Sequence, residues 1–329
     1  MRHAPPPSVL VCDDLDARAL SQLREAGLAV ESAVGWSEHQ RDERLRAGVD
    51  ALLVRSATKV TRALIEKTRG LRLVGRAGVG VDNVDVRAAS EHGVLVINAP
   101  AGNTIATAEL TIALLFACAR RLPLAFETTR KGSWDKQALM GAQISGATLG
   151  VIGLGRIGRA VAARAQALGM HVLGHDPTPP ALLEGVELCA LDELLPRSDF
   201  VTLHVPYSAA THHLLSRERL LSMKRGARLV NCARGGLVDE SALIECLDSG
   251  QLAGAALDVL EGEPPRADHP LIGRADVALT PHIGASTRAA QTAVALEIAQ
   301  GVEAFFLARE ARGAVNLAEW ERAGGWTRA

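Results

Sequence analysis

Short runs of aliphatic and β-branched residues recur along the whole chain, separated by longer stretches in which apolar positions return every three or four residues. Val9-Leu10-Val11 predicts a strand and Leu15 to Ala26 a helix. Ala51 to Val54, Leu73-Val74 and Val94 to Ile97 predict further strands with helical stretches between them. A long helical pattern runs from about Thr104 to Arg121, with Asn103 placed as its N-cap. Strand-like runs then resume at Thr148 to Ile152, His171 to Gly174, Phe200 to His204, Leu229 to Asn231, Ala255 to Val259 and Val277 to Leu279. A final helix is predicted over about Thr287 to Arg309. The strand runs are continuously apolar rather than alternating, which is what a strand needs when both faces of its sheet are covered. Strands of that kind alternating with helices predict an α/β protein with parallel sheets. Two such series fit in 329 residues, so two domains are expected, with a crossing near Ala101-Gly102-Asn103.

Composition narrows the function classes without choosing one. Hydrophobic residues make up 48% and charged residues 22%, enough for a sizeable core. Thirty-six Lys and Arg against 37 Asp and Glu leave a net charge of -1, and aromatics are 3%. A nucleic-acid partner is not expected, since that needs a concentrated cationic face or stacking platforms. The five cysteines (Cys12, Cys118, Cys189, Cys232, Cys246) form no CxxC pair, which suits buried thiols in a reducing compartment. No HExxH or Cys/His ligand spacing points to a metal, and none is expected. The N-terminus has no apolar signal core, and the apolar stretch Leu110 to Ala119 is too short to cross a bilayer. A cytoplasmic protein without a membrane partner is expected.

One loop carries a cofactor signal. Gly153-Leu-Gly155-Arg-Ile-Gly158 follows a predicted strand and opens a predicted helix. In a dinucleotide-binding turn the first glycine makes the bend and the second admits the pyrophosphate to backbone N–H groups. The third lets helix and strand pack closely. Asp176, ending the next strand 23 positions past Gly153, stands where an acid binds the adenosine ribose hydroxyls. Its charge opposes a 2′-phosphate, so NAD is expected rather than NADP. The alternative is a structural glycine turn beside a solvated Asp. Gly78-Val79-Gly80, which lacks a third glycine, reads alone as a tight turn.

In an open parallel sheet, ligands sit beyond the carboxyl ends of the strands. Three residues fall there in the second series: Arg234 after Val230-Asn-Cys-Ala233, Glu263 before Pro264-Pro265, and His282 after Pro281. A histidine can take a hydroxyl proton, a neighbouring carboxylate orients it, and an arginine fork holds a substrate carboxylate. Each also has a bland reading: a surface or capping arginine, a residue before a Pro-Pro turn, a satisfied strand-end histidine. His204, in Thr202-Leu-His-Val-Pro206, sits at a strand end beside the expected nicotinamide position but has no obvious carboxylate partner. His212 and His213 read as solvated residues of a polar connection.

The stretches Leu53-Val-Arg-Ser-Ala-Thr-Lys-Val60, Val74-Gly-Arg-Ala-Gly-Val-Gly-Val-Asp-Asn-Val-Asp85, Val230-Asn-Cys-Ala-Arg-Gly-Gly236, Glu263-Pro-Pro265 and Pro281-His-Ile-Gly-Ala-Ser-Thr287 resemble the D-isomer-specific 2-hydroxyacid dehydrogenases, from Val9 to about Phe306. The Arg-Ser-Ala-Thr-Lys-Val and Asn-Cys-Ala-Arg-Gly-Gly runs resemble the phosphoglycerate-oxidising branch. The resemblance implies a Rossmann NAD-binding domain, residues 101–285, inserted in a flavodoxin-like substrate-binding domain, residues 1–100 and 286–329. It implies Arg234 as the group binding substrate carboxylate and carbonyl, His282 as acid/base and Glu263 as its partner. It places Arg156, Ile157, Asp176, Cys232, Ala233, Asp258 and Gly284 at the NAD site. Substrate contacts are implied for Arg55, Arg76, Gly78 and Asn103, and a dimerisation arm for about Asn103 to Gly146, including Trp134. A homodimer or homotetramer is therefore expected, with an active site in a cleft closed by hinge motion.

The implied reaction is NAD-dependent oxidation of D-3-phosphoglycerate at its 2-hydroxyl, the entry to serine synthesis. Reduction of glyoxylate, hydroxypyruvate or another 2-oxo acid is the alternative, and an NAD-responsive corepressor a more distant one. Val79 and Val205 stand where close relatives often carry threonine near the cofactor. The chain ends soon after Val315-Asn316, so no regulatory serine-binding domain, and no serine feedback through one, is expected.

Overall fold

The computed structural model describes residues 5–179 and 183–327. The chain divides into two units, Met1–Asn103 with Ser286–Ala329, and Thr104–Ala285. In the first unit β1 (Ser8–Val11), β2 (Ala29–Ser32), β3 (Ala51–Val54), β4 (Leu73–Arg76) and β5 (Leu95–Asn98) form one parallel sheet in the order β2-β1-β3-β4-β5. That is the flavodoxin-like doubly wound order. The connections are α1 (Ala17–Glu25), α2 (Glu38–Ala47), α3 (Arg62–Lys67) and α4 (Val86–Glu91). Polar residues start these helices: the Asp16 side chain accepts from Arg18 N, and Ser37 and Gln40 form a reciprocal capping box. β2 escapes the sequence pattern because it is an edge strand with no fully buried residue.

In the second unit the elements are α5 (Thr104–Ala119), α6 (Leu122–Arg130), β6 (Thr148–Ile152), α7 (Arg156–Ala167), β7 (His171–His175), β8 (Val186–Leu188), α8 (Leu191–Arg197), β9 (Phe200–Leu203), α9 (Arg217–Ser222), β10 (Ala227–Asn231), α10 (Glu240–Asp248), β11 (Leu252–Leu257) and β12 (Val277–Leu279). Their sheet is parallel, in the order β12-β11-β10-β9-β6-β7-β8. Counted within the unit this is the Rossmann order with a seventh strand added at one edge. The chain reverses direction between β6 and β9, and such a switch point opens the crevice where dinucleotides bind. Successive strand residues face opposite cores. Leu149, Val151 and Phe200 pack with Leu115 and Val161, whereas Ile152, Val201 and Leu203 pack with Leu229 and Leu243.

The chain then returns to the first unit through α11 (Arg288–Glu303), a π-helical turn at Ala304–Ala308, and α12 (Leu317–Arg322). The Thr287 side chain caps α11 by accepting from Ala290 N. The single predicted helix to Arg309 therefore ends its α-helical part at Glu303. Val294, Ile298 and Val302 share a core with Val9, Leu53 and Ile97 of the sheet. The other departure concerns Asn103. It precedes α5, but its Oδ1 is buried without a hydrogen-bond partner among the described residues, so the expected side-chain cap is not made. Instead the carboxylate of Glu297 accepts from the N–H groups of Ala101 and Gly102 at 3.2 and 2.8 Å. No helix among the described residues is long and apolar enough to cross a membrane.

Candidate active site

The glycine loop lies at the carboxyl end of β6, beside the switch point. Gly153 has φ +93, and its N–H donates to His175 O at 2.8 Å. A Cβ there would lie 2.6 Å from His204 O. A Cβ on Gly158, in the first turn of α7, would lie 1.9 Å from Gly153 O, so the loop closes on its own helix only without a side chain. Gly155 differs from both. A Cβ there would meet nothing within 4 Å. That open position, at the N-terminus of α7, is the cradle a pyrophosphate requires. Asp176 directly follows β7, where its Oδ2 accepts from Leu154 N at 2.8 Å and its Oδ1 from Thr178 N at 2.9 Å. A carboxylate has about four acceptor sites, which leaves capacity for ribose hydroxyls. Arg156 is exposed at the start of α7, and Ile157 is half-buried. These residues fit a bound dinucleotide.

At the far end of the same sheet, His282 and Glu263 are joined. Nδ1–H of His282 donates to Glu263 Oε2 at 2.6 Å, which leaves Nε2 as the ring atom free for proton exchange. The His282 side chain is 48% exposed, so that atom is open to a ligand. Burial pushes the Glu263 carboxyl up, but it is outweighed. The hydrogen bond and charge of His282, the Leu260 N–H and the charge of Arg234 together hold it below the ordinary carboxylate range. The carboxylate is thus ionised where it must orient an imidazole.

Two devices bring these strand ends together. Asp258, which follows β11 and is buried, accepts from Thr280 Oγ1 at 2.6 Å and from the N–H groups of Ile283 and Gly284 at 2.8 Å each. Those donors flank His282, whose φ is +53, a conformation that costs a residue with a Cβ and that the clamp holds in place. Gly284 sits against the clamp, where a Cβ would lie 3.3 Å from Asp258 Oδ2, and its carbonyl accepts from Thr107 Oγ1 at 3.2 Å. The second device is Gly235, where a Cβ would lie 1.9 Å from Leu260 C. The backbone after Arg234 therefore abuts the backbone leading to Glu263. Asn231 braces the same turn, with Nδ2 donating to Arg234 O at 2.8 Å and Oδ1 accepting from Ala233 N at 2.9 Å. The Arg234 Nη1 donates to Ala233 O at 2.6 Å.

His204 directly follows β9 and is a different kind of histidine. Burial pushes its imidazole down to about 3, and its Nε2 lies 3.1 Å from Thr202 Oγ1. It is neutral at physiological pH and suited to lining a pocket. Cys232 is buried beside Thr111, and desolvation pushes its thiol up to about 12, so it lines rather than reacts. His213 departs from its expected solvated state: its ring is one third exposed, Nε2 is buried, and φ is +47.

The remaining expected ligand-binding residues lie in the first unit. The Arg55 N–H donates to Asp13 Oδ2 at 2.6 Å, Thr58 Oγ1 donates to Asp13 Oδ1 at 2.6 Å, and Asn83 Nδ2 donates to Arg55 O at 2.7 Å. This brace of Asp13, Thr58 and Asn83 fixes the loop that carries Arg55. The guanidinium of Arg76 packs over Gly78: a Cβ there would lie 1.6 Å from Arg76 Nη1. Gly78 N–H donates to Arg76 O at 2.9 Å and its carbonyl accepts from Ala99 N at 3.0 Å, the tight turn expected of the glycine pair.

Comparison with known proteins agrees with this architecture. Residues 112–284 match the family described as D-isomer specific 2-hydroxyacid dehydrogenase, NAD binding domain. The chain is 47% identical over 313 residues to the D-3-phosphoglycerate dehydrogenase of Methanocaldococcus jannaschii, covering 94% of this chain and 59% of that protein. It is 48% identical over 271 residues to the protein of the same name in Bacillus subtilis, covering 82% of this chain and 51% of that protein. The chain thus spans little more than half the length of these relatives. Among solved structures, a Thermus thermophilus protein matches with a TM-score of 0.84 at 40% identity, over 94% of this chain and 99% of that one. A glyoxylate reductase of Paecilomyes thermophila matches with a TM-score of 0.86 at 30% identity, over 95% and 99%. On its NAD-binding domain and its fold alike, the chain belongs to the D-isomer specific 2-hydroxyacid dehydrogenase family.

Proposed function

We propose that this chain is an NAD-dependent dehydrogenase that oxidises D-3-phosphoglycerate to 3-phosphohydroxypyruvate, the first step of the phosphorylated route to serine. The observation that carries this reading is the 2.6 Å pairing of His282 with Glu263, under the charge of Arg234, on the sheet that bears the glycine loop. Gly153, Gly155, Arg156, Ile157 and Gly158 would hold the pyrophosphate, and Asp176 the adenosine ribose. His204, Cys232, Ala233, Asp258 and Gly284 would line the nicotinamide side. When bound, NAD supplies the hydride acceptor. His282 Nε2 takes the hydroxyl proton, and Glu263 stabilises the imidazolium so formed. Arg234 grips the substrate carboxylate as a two-pronged fork and polarises the adjacent C–O bond. Arg55, Arg76, Gly78 and Asn103 are assigned to the substrate, the two guanidinium groups to its phosphate. Phosphoglycerate is preferred as the substrate because the 47% and 48% identical relatives bear that name.

A second substrate class has its own support in the 30% identical glyoxylate reductase, whose chain is matched over 99% of its length. Reduced-nicotinamide absorbance, followed with D-3-phosphoglycerate and with glyoxylate, hydroxypyruvate and D-lactate, separates the two. A higher kcat/KM for an unphosphorylated acid would overturn the phosphoglycerate assignment. Absence of turnover on all of them would overturn the dehydrogenase reading itself. We further assign a homo-oligomer, dimer or tetramer, to the segment around α6. That helix buries no residue, and Phe126, Trp134 and Met140 are 64%, 79% and 74% exposed. Sedimentation of Trp134→Ala as a monomer would support it, and a wild-type monomer would remove it.

A further inference from the structure

A second constellation in the NAD-binding unit lies outside the catalytic trio and has no part in the reaction described above. One ring nitrogen each from His212 and His213 and one carboxylate oxygen of Glu261 all lie within 4.8 Å of one another. His213 Nε2 is 3.4 Å from Glu261 Oε1, too poorly aligned to count as a hydrogen bond, and it is buried with no hydrogen-bond partner among the described residues. A buried ring nitrogen facing a carboxylate without bonding to it is a costly arrangement unless something else satisfies both.

The surrounding structure holds the three groups ready. The two imidazoles stack at 3.8 Å between centroids. His213 is fixed by its N–H to Gly236 O at 2.8 Å and by a left-handed backbone, φ +47. Tyr207 Oη is 3.3 Å from His212 Nδ1, an outer partner that orients the ring. The Glu261 N–H donates to Glu240 Oε1 at 2.7 Å, and the other oxygen of Glu240 pairs with His269 Nε2 at 3.1 Å. That network anchors the backbone from which Glu261 projects.

We propose that His212, His213 and Glu261 form a binding site for a zinc-type divalent cation. Two imidazoles and one carboxylate are a ligand set that favours borderline metals such as Zn²⁺ over Mg²⁺ or Ca²⁺, which take all-oxygen shells. Ligands on a tetrahedral zinc ion stand about 3.3 Å apart, so small side-chain rotations from the observed spread close the site. Three protein ligands leave the fourth position to water or an anion. The site lies two residues before Glu263, so occupancy ties the connection after β9 to the segment that positions the catalytic carboxylate.

Competition for Zn²⁺ against a chromogenic chelator, with the full chain as purified and stripped of metal, tests this. One saturable ion per chain is expected. His212→Ala and Glu261→Gln, both at exposed or half-exposed positions, should each weaken binding at least about tenfold, since loss of even an outer partner costs that much. Mg²⁺ should not compete. Zn²⁺ should also raise the unfolding midpoint of the wild type and not of either variant. Absence of a saturable site, or zinc binding unchanged in both variants, would overturn the proposal. The second outcome would place the ion elsewhere and leave His213 and Glu261 as a simple ion pair.

Discussion

Two alanine substitutions in one loop separate what holds the fold from what receives the cofactor. Gly158→Ala puts a methyl group 1.9 Å from the backbone oxygen of Gly153 and 3.0 Å from its carbonyl carbon. Both are main-chain atoms of a turn already bonded to β7 through Gly153 N–H and His175 O, so no flexible side chain can move aside. Overpacking of this kind costs about 3 kcal/mol, and alanine returns about 1 kcal/mol through its better helix propensity. A net loss of about 2 kcal/mol is therefore expected. Gly155→Ala meets nothing within 4 Å and replaces a residue at φ −66, which alanine adopts freely. Its effect on stability should stay within about 1 kcal/mol, as a weaker N-cap is offset by a stiffer unfolded chain. The same methyl group fills the space a pyrophosphate would use, so NAD affinity should fall at least about tenfold, or about 1.4 kcal/mol. Urea denaturation of the metal-free, ligand-free protein and calorimetric NAD titration measure the two quantities. A Gly158→Ala protein as stable as the wild type, or a Gly155→Ala protein that binds NAD equally well, refutes the reasoning.

Other outcomes follow from the same geometry. His282→Ala should lower turnover at least about 10²-fold with the NAD dissociation constant unchanged, and an active variant would remove the residue from its role. Asp258→Asn turns an amide group toward buried donors. It should cost about 2 kcal/mol in denaturant midpoint and lower kcat, and an unshifted midpoint would show that the clamp holds nothing. Gly78→Ala should displace the Arg76 guanidinium and raise the substrate KM about tenfold while sparing NAD affinity; equal effects on both would argue for general misfolding instead. Glu263 is held below its ordinary range, so its stabilising contribution is present above that range and is lost as pH falls through the lower native value. The stability gap between wild type and Glu263→Gln should accordingly close in acid, and a gap independent of pH would contradict the charge pairing.

What could be read from the sequence follows from where each contribution is stored. β3 has four consecutive buried residues, and a strand covered on both faces announces itself as an apolar run. The edge strands β2 and β8 have no fully buried residue and leave no such trace. That Arg234, Glu263 and His282 follow strands of one sheet was legible because strand ends can be counted. The clamp of Asp258 and the brace of Asp13, Thr58 and Asn83 were not, since they are hydrogen bonds between segments far apart in the chain with no local period. Asn103 shows the converse failure. Its residue type fits a cap, but the backbone N–H groups just before the helix are taken by Glu297, nearly two hundred residues later.

The β1–β5 sheet shares its core with Val294, Ile298, Val302 and Trp320. Synthesis reaches these residues only after the whole Thr104–Ala285 unit has been made. At translation rates of about 5–20 residues per second, the sheet waits on the order of ten seconds or more with one apolar face covered only in part, by α1. The later-made unit, whose elements are contiguous, has everything it needs to fold first. The segment that emerges first, Met1–Asn103, is thus the last to close, and its exposed strands are the stretch most in need of a chaperone during that interval.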